Sequence, residues 1–151
     1  MSLKLNDKLP YFILKNQYDK EVNSKNFYGK NLVVFFYPKD DTPGCTMEVC
    51  NFRDNYSEIK KYNSNIIGIS SDTVKSHKNF SKKFNVTYDL LSDCDNTVKK
   101  LFGVPKSLFG LLPGRVTYIF DANGFLLKII NSQINIYEHI SKTIKFLKEL
   151  K

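Results

Sequence analysis

The sequence predicts an α/β layer sandwich, a mixed sheet with helices packed on both faces. Three observations predict it. Helical and extended patterns alternate along the chain. Two extended runs, residues 32–37 and 66–70, read as buried strands, the first of them continuously apolar, as strands buried on both faces are. Towards the C-terminus a hairpin signal, Asn123-Gly124, precedes a long amphipathic helix.

Residues 11–14 and 20–22 read as a short hairpin about a polar turn at 16–19. Residues 32–37 (LVVFFY) are a β-rich run ended by Pro38. A polar loop, 39–44, leads into a helix with Val49, Phe52, Tyr56 and Ile59 on one face. Residues 66–70 form the second buried strand. Asp72 or Thr73 caps a helix whose apolar positions are Val74, Phe80 and Phe84. Residues 88–91 make a short strand, and 95–102 a short helix stopped by Gly103. Strands at 116–120 and 125–130 flank the Asn-Gly turn. The last helix carries Ile136, Ile140, Ile144, Leu147 and Leu150. No repeat, low-complexity tract or linker interrupts this order, so residues 1–151 are expected to form a single domain.

The chain has 151 residues, enough to bury a core without staples, and is 42% hydrophobic and 25% charged. No stretch approaches the ~20 apolar residues of a membrane span. The first ten residues alternate charged and apolar side chains and resemble neither a secretory signal nor a transit peptide, so the expected location is cytoplasmic. The net charge of +8 raises the question of nucleic acid. Only Arg53 and Arg115 are arginines, and the lysines come singly or in pairs, so a solvated lysine surface is the expectation.

Cys45 follows Pro43-Gly44 at the expected first turn of a helix. Unpaired backbone N–H groups and the helix dipole favour negative charge there, which lowers a thiol's pKa and populates the nucleophilic thiolate. A loop of Asp, Thr, Pro and Gly is a poor home for a core residue, which favours a reactive sulfur over a buried inert one. Thr42 can cap the turn or aim its hydroxyl at the same volume. Pro38 and Pro43 stiffen the loop.

Cys50 lies five positions on. An ideal helix sets the two Cα atoms about 8.6 Å apart, beyond the roughly 7 Å that a disulfide tolerates. The sulfurs can bond only if the first helical turns unwind. The spacing is neither a zinc knuckle nor the Cys-x-x-Cys of a disulfide oxidoreductase, so no metal and no cofactor is expected.

The string Pro38-Lys39-Asp40-Asp41-Thr42-Pro43-Gly44-Cys45 resembles the Pro-x-x-x-Thr-x-x-Cys motif of peroxiredoxins. Extended from Phe36 to Asp54, it is similar to the bacterioferritin-comigratory, or Q-type, subfamily, which places its resolving cysteine five residues after the peroxidatic one. The likeness continues through Gly68-Ile69-Ser70-Ser71-Asp72, Leu90-Leu91-Ser92-Asp93, and Arg115 before Asp121-Ala122-Asn123-Gly124. It implies a thioredoxin-like fold with an extended N-terminus and an insertion. It also implies a peroxidase acting on hydrogen peroxide and organic hydroperoxides. Cys45 would attack the O–O bond and become a sulfenic acid. Thr42 would position the peroxide, Pro38 shield the sulfur, and Arg115 hold the thiolate and the developing negative oxygen. Cys50 would then form an intramolecular disulfide, recycled by a thioredoxin-type reductant.

Cys94, between Asp93 and Asp95, is expected to be an incidental thiol, since flanking acids raise a thiol's pKa. His77 and His139 are expected to be partly exposed helix residues. Glu48 could support the active-site helix by a hydrogen bond or through its dipole. A monomer is expected, with a dimer as the alternative. A redox sensor or holdase-type binding protein on the same fold is the competing functional class.

Overall fold

The computed structural model describes residues 2–105, 115–132 and 135–150. The layers follow from strand β3 (Asn31–Phe36). Val33 and Phe35, with Tyr37 just beyond, face one core; Leu32, Val34 and Phe36 face the other. A strand buried on both sides must be apolar throughout, which is why this run shows no alternation.

The sheet has seven strands in the order β2-β1-β5-β4-β3-β6-β7. The others are β1 (Ile13–Lys15), β2 (Glu21–Asn23), β4 (Ser64–Ser70), β5 (Asp89–Ser92), β6 (Val116–Phe120) and β7 (Leu126–Asn131). Strands β3, β4 and β5 are mutually parallel, and β1, β6 and β7 pair antiparallel to their neighbours. On one face pack α1 (Pro43–Asp54), α2 (Tyr56–Lys61), α3 (Val74–Phe84) and α5 (Tyr137–Leu150), through Val49, Phe52, Ile59, Phe80, Ile140 and Leu147. On the other lie α4 (Thr97–Phe102), through Val98 and Phe102, and the N-terminal segment, through Leu9, Phe12 and Val22. A Cβ at Gly68, in the middle of β4, would stand 2.7 Å from the Phe35 ring and 3.0 Å from Leu90. The absence of a side chain there lets the two pack across the strand.

The expected helix through Val49, Phe52, Tyr56 and Ile59 is two helices. The break falls at Asn55, whose side-chain amide donates to the Asn51 carbonyl at 2.8 Å, a local bond that competes with the helical ladder. A short 3-10 turn at Ser24–Phe27, capped by the Asn23 side chain, was not expected. Thr73, the second of the two candidate caps, takes that role for α3 by accepting from the Ser76 N–H.

Both histidines correct the expectation of partial exposure. His77 and His139 are fully buried. His77 is three residues from both Val74 and Phe80, so it shares the inward stripe of α3, and His139 adjoins the inward Ile140 of α5. Each is accommodated because both of its ring nitrogens meet polar partners.

Candidate active site

Cys45 is the third residue of α1, after Pro43 and Gly44. The Thr42 carbonyl accepts the Thr46 N–H at 2.8 Å, the first bond of the helix. The amides of Gly44 and Cys45 therefore fall in the turn that has no intrahelical acceptor. Thr42 is the N-cap through its backbone only. Its hydroxyl donates to the Lys39 carbonyl at 2.9 Å, closing the loop on itself, so of the two roles expected for it the side-chain cap is not taken up.

The sulfur is buried. Cys45 is 1% exposed and belongs to the core face of α1, contrary to the expectation that a polar loop keeps it out of the core. The loop is polar, but the helix it starts packs one face into the core, and its third residue turns inward with Val49 and Phe52. A polar partner meets it there. Arg115 Nη2 donates to Cys45 Sγ at 3.4 Å.

Register brings these residues together across the sequence. Strand β6 runs antiparallel beside β3 with Val116 opposite Phe36. Arg115 therefore stands beside Tyr37, where the chain leaves β3 for the Pro38 loop. A Cβ on Gly44 would lie 3.4 Å from Arg115 Nη2 and 3.0 Å from Ile136, so the glycine leaves room for the guanidinium. Pro38, half-buried, opens the loop at the carboxyl end of β3, where open α/β sheets place their sites.

Arg115 is oriented by Glu48, whose Oε1 accepts from Nη1 at 2.7 Å. Glu48 is fully buried, and that burial pushes its carboxyl up to about 7, while Arg115 pulls the other way. Burial pulls the Arg115 guanidinium down, but Glu48 and then Cys45 outweigh it, and its pKa is raised. Behind Glu48 stands His139. Its Nε2 meets the Ser132 carbonyl at 2.7 Å, and its Nδ1 meets the Thr117 hydroxyl at 2.8 Å. Nε2 therefore carries the hydrogen and Nδ1 accepts from Thr117. Burial lowers the His139 pKa, in keeping with a neutral ring.

A second network fixes the loop from outside. Asp40, buried, accepts from the Tyr37 hydroxyl at 2.6 Å and the Ser76 hydroxyl at 2.8 Å, and faces His77 Nδ1 at 2.7 Å. The Asp40 N–H donates to Asp72 at 2.8 Å. His77 Nε2 lies 3.1 Å from the Leu91 carbonyl and 3.4 Å from the Ser70 hydroxyl, so both ring nitrogens have polar partners. Asp40, Asp72 and His77 bring ligand-type atoms within 4.8 Å of one another, but both His77 nitrogens are engaged within the network, and the cluster serves as an anchor. Sequence reasoning missed it. The signal was there in the position of His77 on the apolar stripe of α3.

Cys50 is half-buried on the same intact helix, and all three cysteines are free thiols. Burial raises the Cys50 thiol pKa; Arg53 opposes this and Asp54 adds to it. Cys94 is exposed, with Sγ 3.1 Å from the Ser92 hydroxyl and 3.8 Å from the Asp72 carbonyl.

With this geometry in place, the chain can be set beside known proteins. The family model described as "AhpC/TSA family" matches residues 5–129. The chain belongs to that family. Among its members it is 50% identical over 141 residues to the chloroplastic peroxiredoxin Q of Suaeda salsa, covering 93% of this chain and 66% of the relative. It is 48% identical to that of Sedum lineare, covering 94% of this chain and 76% of the relative. The chain thus spans about two thirds to three quarters of these curated relatives. The peroxidoxin BcpB structure of Mycobacterium tuberculosis superposes with a TM-score of 0.90 at 33% identity, covering 99% of each chain. The Xanthomonas campestris bacterioferritin comigratory protein, studied for its alkyl peroxide reduction activity, superposes with a TM-score of 0.84 at 29% identity, covering 95% of this chain and 99% of that one. The chain is a Q-type peroxiredoxin with the thioredoxin-like fold of that family, and the enzyme is favoured over the sensor or holdase. Among the described residues, no helix is long and apolar enough to cross a membrane.

Proposed function

We propose that this peroxiredoxin reduces hydrogen peroxide and organic hydroperoxides through Cys45 and Cys50. The observation that carries the reading is the Arg115 guanidinium 3.4 Å from a buried sulfur at the start of α1. The thiolate attacks the terminal oxygen of ROOH. The S–O bond forms as the O–O bond breaks, the sulfur is oxidised to sulfenic acid, and the leaving alkoxide takes a proton from water to become ROH. Arg115 and the open amides of the first turn are preorganised for the charge that moves from sulfur to oxygen, so they need not reorient during the step. Thr42 positions the peroxide and Pro38 shields the sulfur.

Cys50 then resolves the sulfenic acid. The Cys50 sulfur bonds to the Cys45 sulfur, and the hydroxyl leaves as water with the Cys50 proton. A thioredoxin-type dithiol returns two electrons and two protons by exchange, restoring both thiols. Residues 1–151 act as one domain, since a single sheet runs from β1 to β7. The working unit is a monomer in the cytoplasm, a reducing compartment in which both sulfurs return to the thiol each cycle. Two of the named relatives are chloroplastic, so cell fractionation tests the location.

Stopped-flow mixing of reduced protein with hydrogen peroxide tests the chemistry. Oxidation of Cys45 should outpace that of a free thiol by orders of magnitude. Equal rates would sink the reading. Sustained peroxide consumption with a thioredoxin system is expected; a single oxidation without turnover would leave a sensor.

A further inference from the structure

Resolution as proposed above requires α1 to open, because an intact helix keeps residues 45 and 50 too far apart to bond. How easily it opens depends on what holds the turn bearing Cys50. The Tyr88 hydroxyl donates to the carbonyl of Val49 at 2.7 Å, in a buried setting. Val49 is the residue before Cys50, so this carbonyl belongs to the peptide that carries the Cys50 nitrogen. Helix geometry already directs the Arg53 N–H to the same oxygen. Tyr88 fills its second lone pair from outside the helix.

The donor is firmly placed. Tyr88 is 2% exposed, and its ring packs edge-on against Phe35 at 6.0 Å and Tyr56 at 5.7 Å. Its own carbonyl accepts from the buried Gln17 side chain at 2.8 Å. One turn further along α1, Arg53 Nη1 donates to the Phe84 carbonyl. The segment from Phe84 to Tyr88 thus grips α1 at Val49 and at Arg53, with Cys50 between the two points. Toward the N-terminus, α1 opens onto the Pro38 loop.

We propose that Tyr88 is a positioning residue for the resolving step: its hydroxyl latches the Val49 carbonyl and sets how readily the Cys50 turn leaves the helix to form the disulfide. The inference rests on the two-cysteine reading above. Opening the turn must break this bond and leave a phenol behind in an apolar setting, or drag Tyr88 out of its aromatic packing. The latch therefore favours the closed helix, in which Arg115 meets Cys45, over the open form that lets Cys50 reach the sulfenic acid. Arg53 also acts electrostatically on the Cys50 thiol, so Tyr88 offers the cleaner test.

The experiment compares wild type with Tyr88→Phe, which keeps the ring and removes only the hydroxyl. Reduced protein is pulsed with a range of peroxide concentrations, and the products are separated by mass into the Cys45–Cys50 disulfide and the Cys45 sulfinic acid. Tyr88→Phe should shift the partition towards disulfide by about threefold to tenfold, the weight of one net hydrogen bond. Amide hydrogen exchange on the reduced protein should rise across residues 46–53 and stay unchanged in β4 and β5. An unchanged partition, a shift towards sulfinic acid, or faster exchange spread through the sheet would each overturn the latch. Wild type that forms no disulfide between these two cysteines would instead overturn the two-cysteine reading, so the two failures are separable.

Discussion

Asp40 and His77 meet at 2.7 Å with both side chains almost wholly buried, one in the loop before Cys45 and the other on α3. The contact ties the Pro38 loop to a helix that carries none of the reacting atoms. Because both His77 nitrogens meet polar partners in the interior, removing either member of the pair leaves a buried polar group short of a bond.

His77→Leu should therefore lower stability by about 1–3 kcal/mol, the usual cost of leaving a buried polar group without its partner. Urea unfolding measures it. Asp40→Asn should slow Cys45 oxidation in stopped-flow as well, because the loop loses its anchor. A double-mutant cycle should show that the two effects are not additive.

Arg115→Met should slow the first oxidation of Cys45 by about 10²–10³-fold, the scale of losing one preorganised donor to developing charge. Arg115→Lys should recover only part, since a point charge cannot serve Glu48 and Cys45 at once as the planar fork does. Single-turnover kinetics at saturating peroxide give both rates.

Glu48 predicts a pH dependence of folding. Its carboxyl titrates near 7 in the folded chain, above its ordinary value, because of burial. The folded state therefore holds a proton that the unfolded state releases. The stabilisation is complete below about pH 4.5 and is lost as pH rises through about 7, by an amount on the order of 3 kcal/mol. His139, lowered by burial, contributes a slope of the opposite sign, stabilising as pH rises. The comparison that isolates Glu48 is wild type against Glu48→Gln, by denaturation at pH 5 and pH 8. The stability gap between them should move against wild type at the higher pH.

Cys50→Ser should undergo the first oxidation yet form no intramolecular disulfide, and sulfinic acid should accumulate with excess peroxide. Cys94→Ser should still lose the mass of two hydrogens on oxidation, since Cys94 sits apart from the α1 pair. Intact-mass spectrometry reads both.

Gly68→Ala should cost about 1–3 kcal/mol through overpacking. The new methyl would fall 2.7 Å from the Phe35 ring and 3.0 Å from Leu90, both buried side chains with little room to move. A lower urea midpoint with an unchanged slope is expected.

Much of this was legible in the chain. The unbroken apolar run before Pro38 could only be a strand buried on both faces, and its neighbours follow the alternation of an α/β sandwich. The order Thr42, Pro43, Gly44, Cys45 placed a sulfur at a helix start, and the five-residue step to Cys50 set the need for unwinding. These are local facts, fixed by backbone geometry and side-chain period within a few turns. Local order could not say that Arg115 stands against Cys45, since that depends on Val116 pairing with Phe36 across a sheet. Nor could it turn His139 and Glu48 inward, bring His77 against Asp40, or set Tyr88 against Val49. Those are decided by which faces the packed layers bury and which distant acceptors they leave open. Only the closed tertiary structure provides the low-dielectric interior in which such polar groups must find one another.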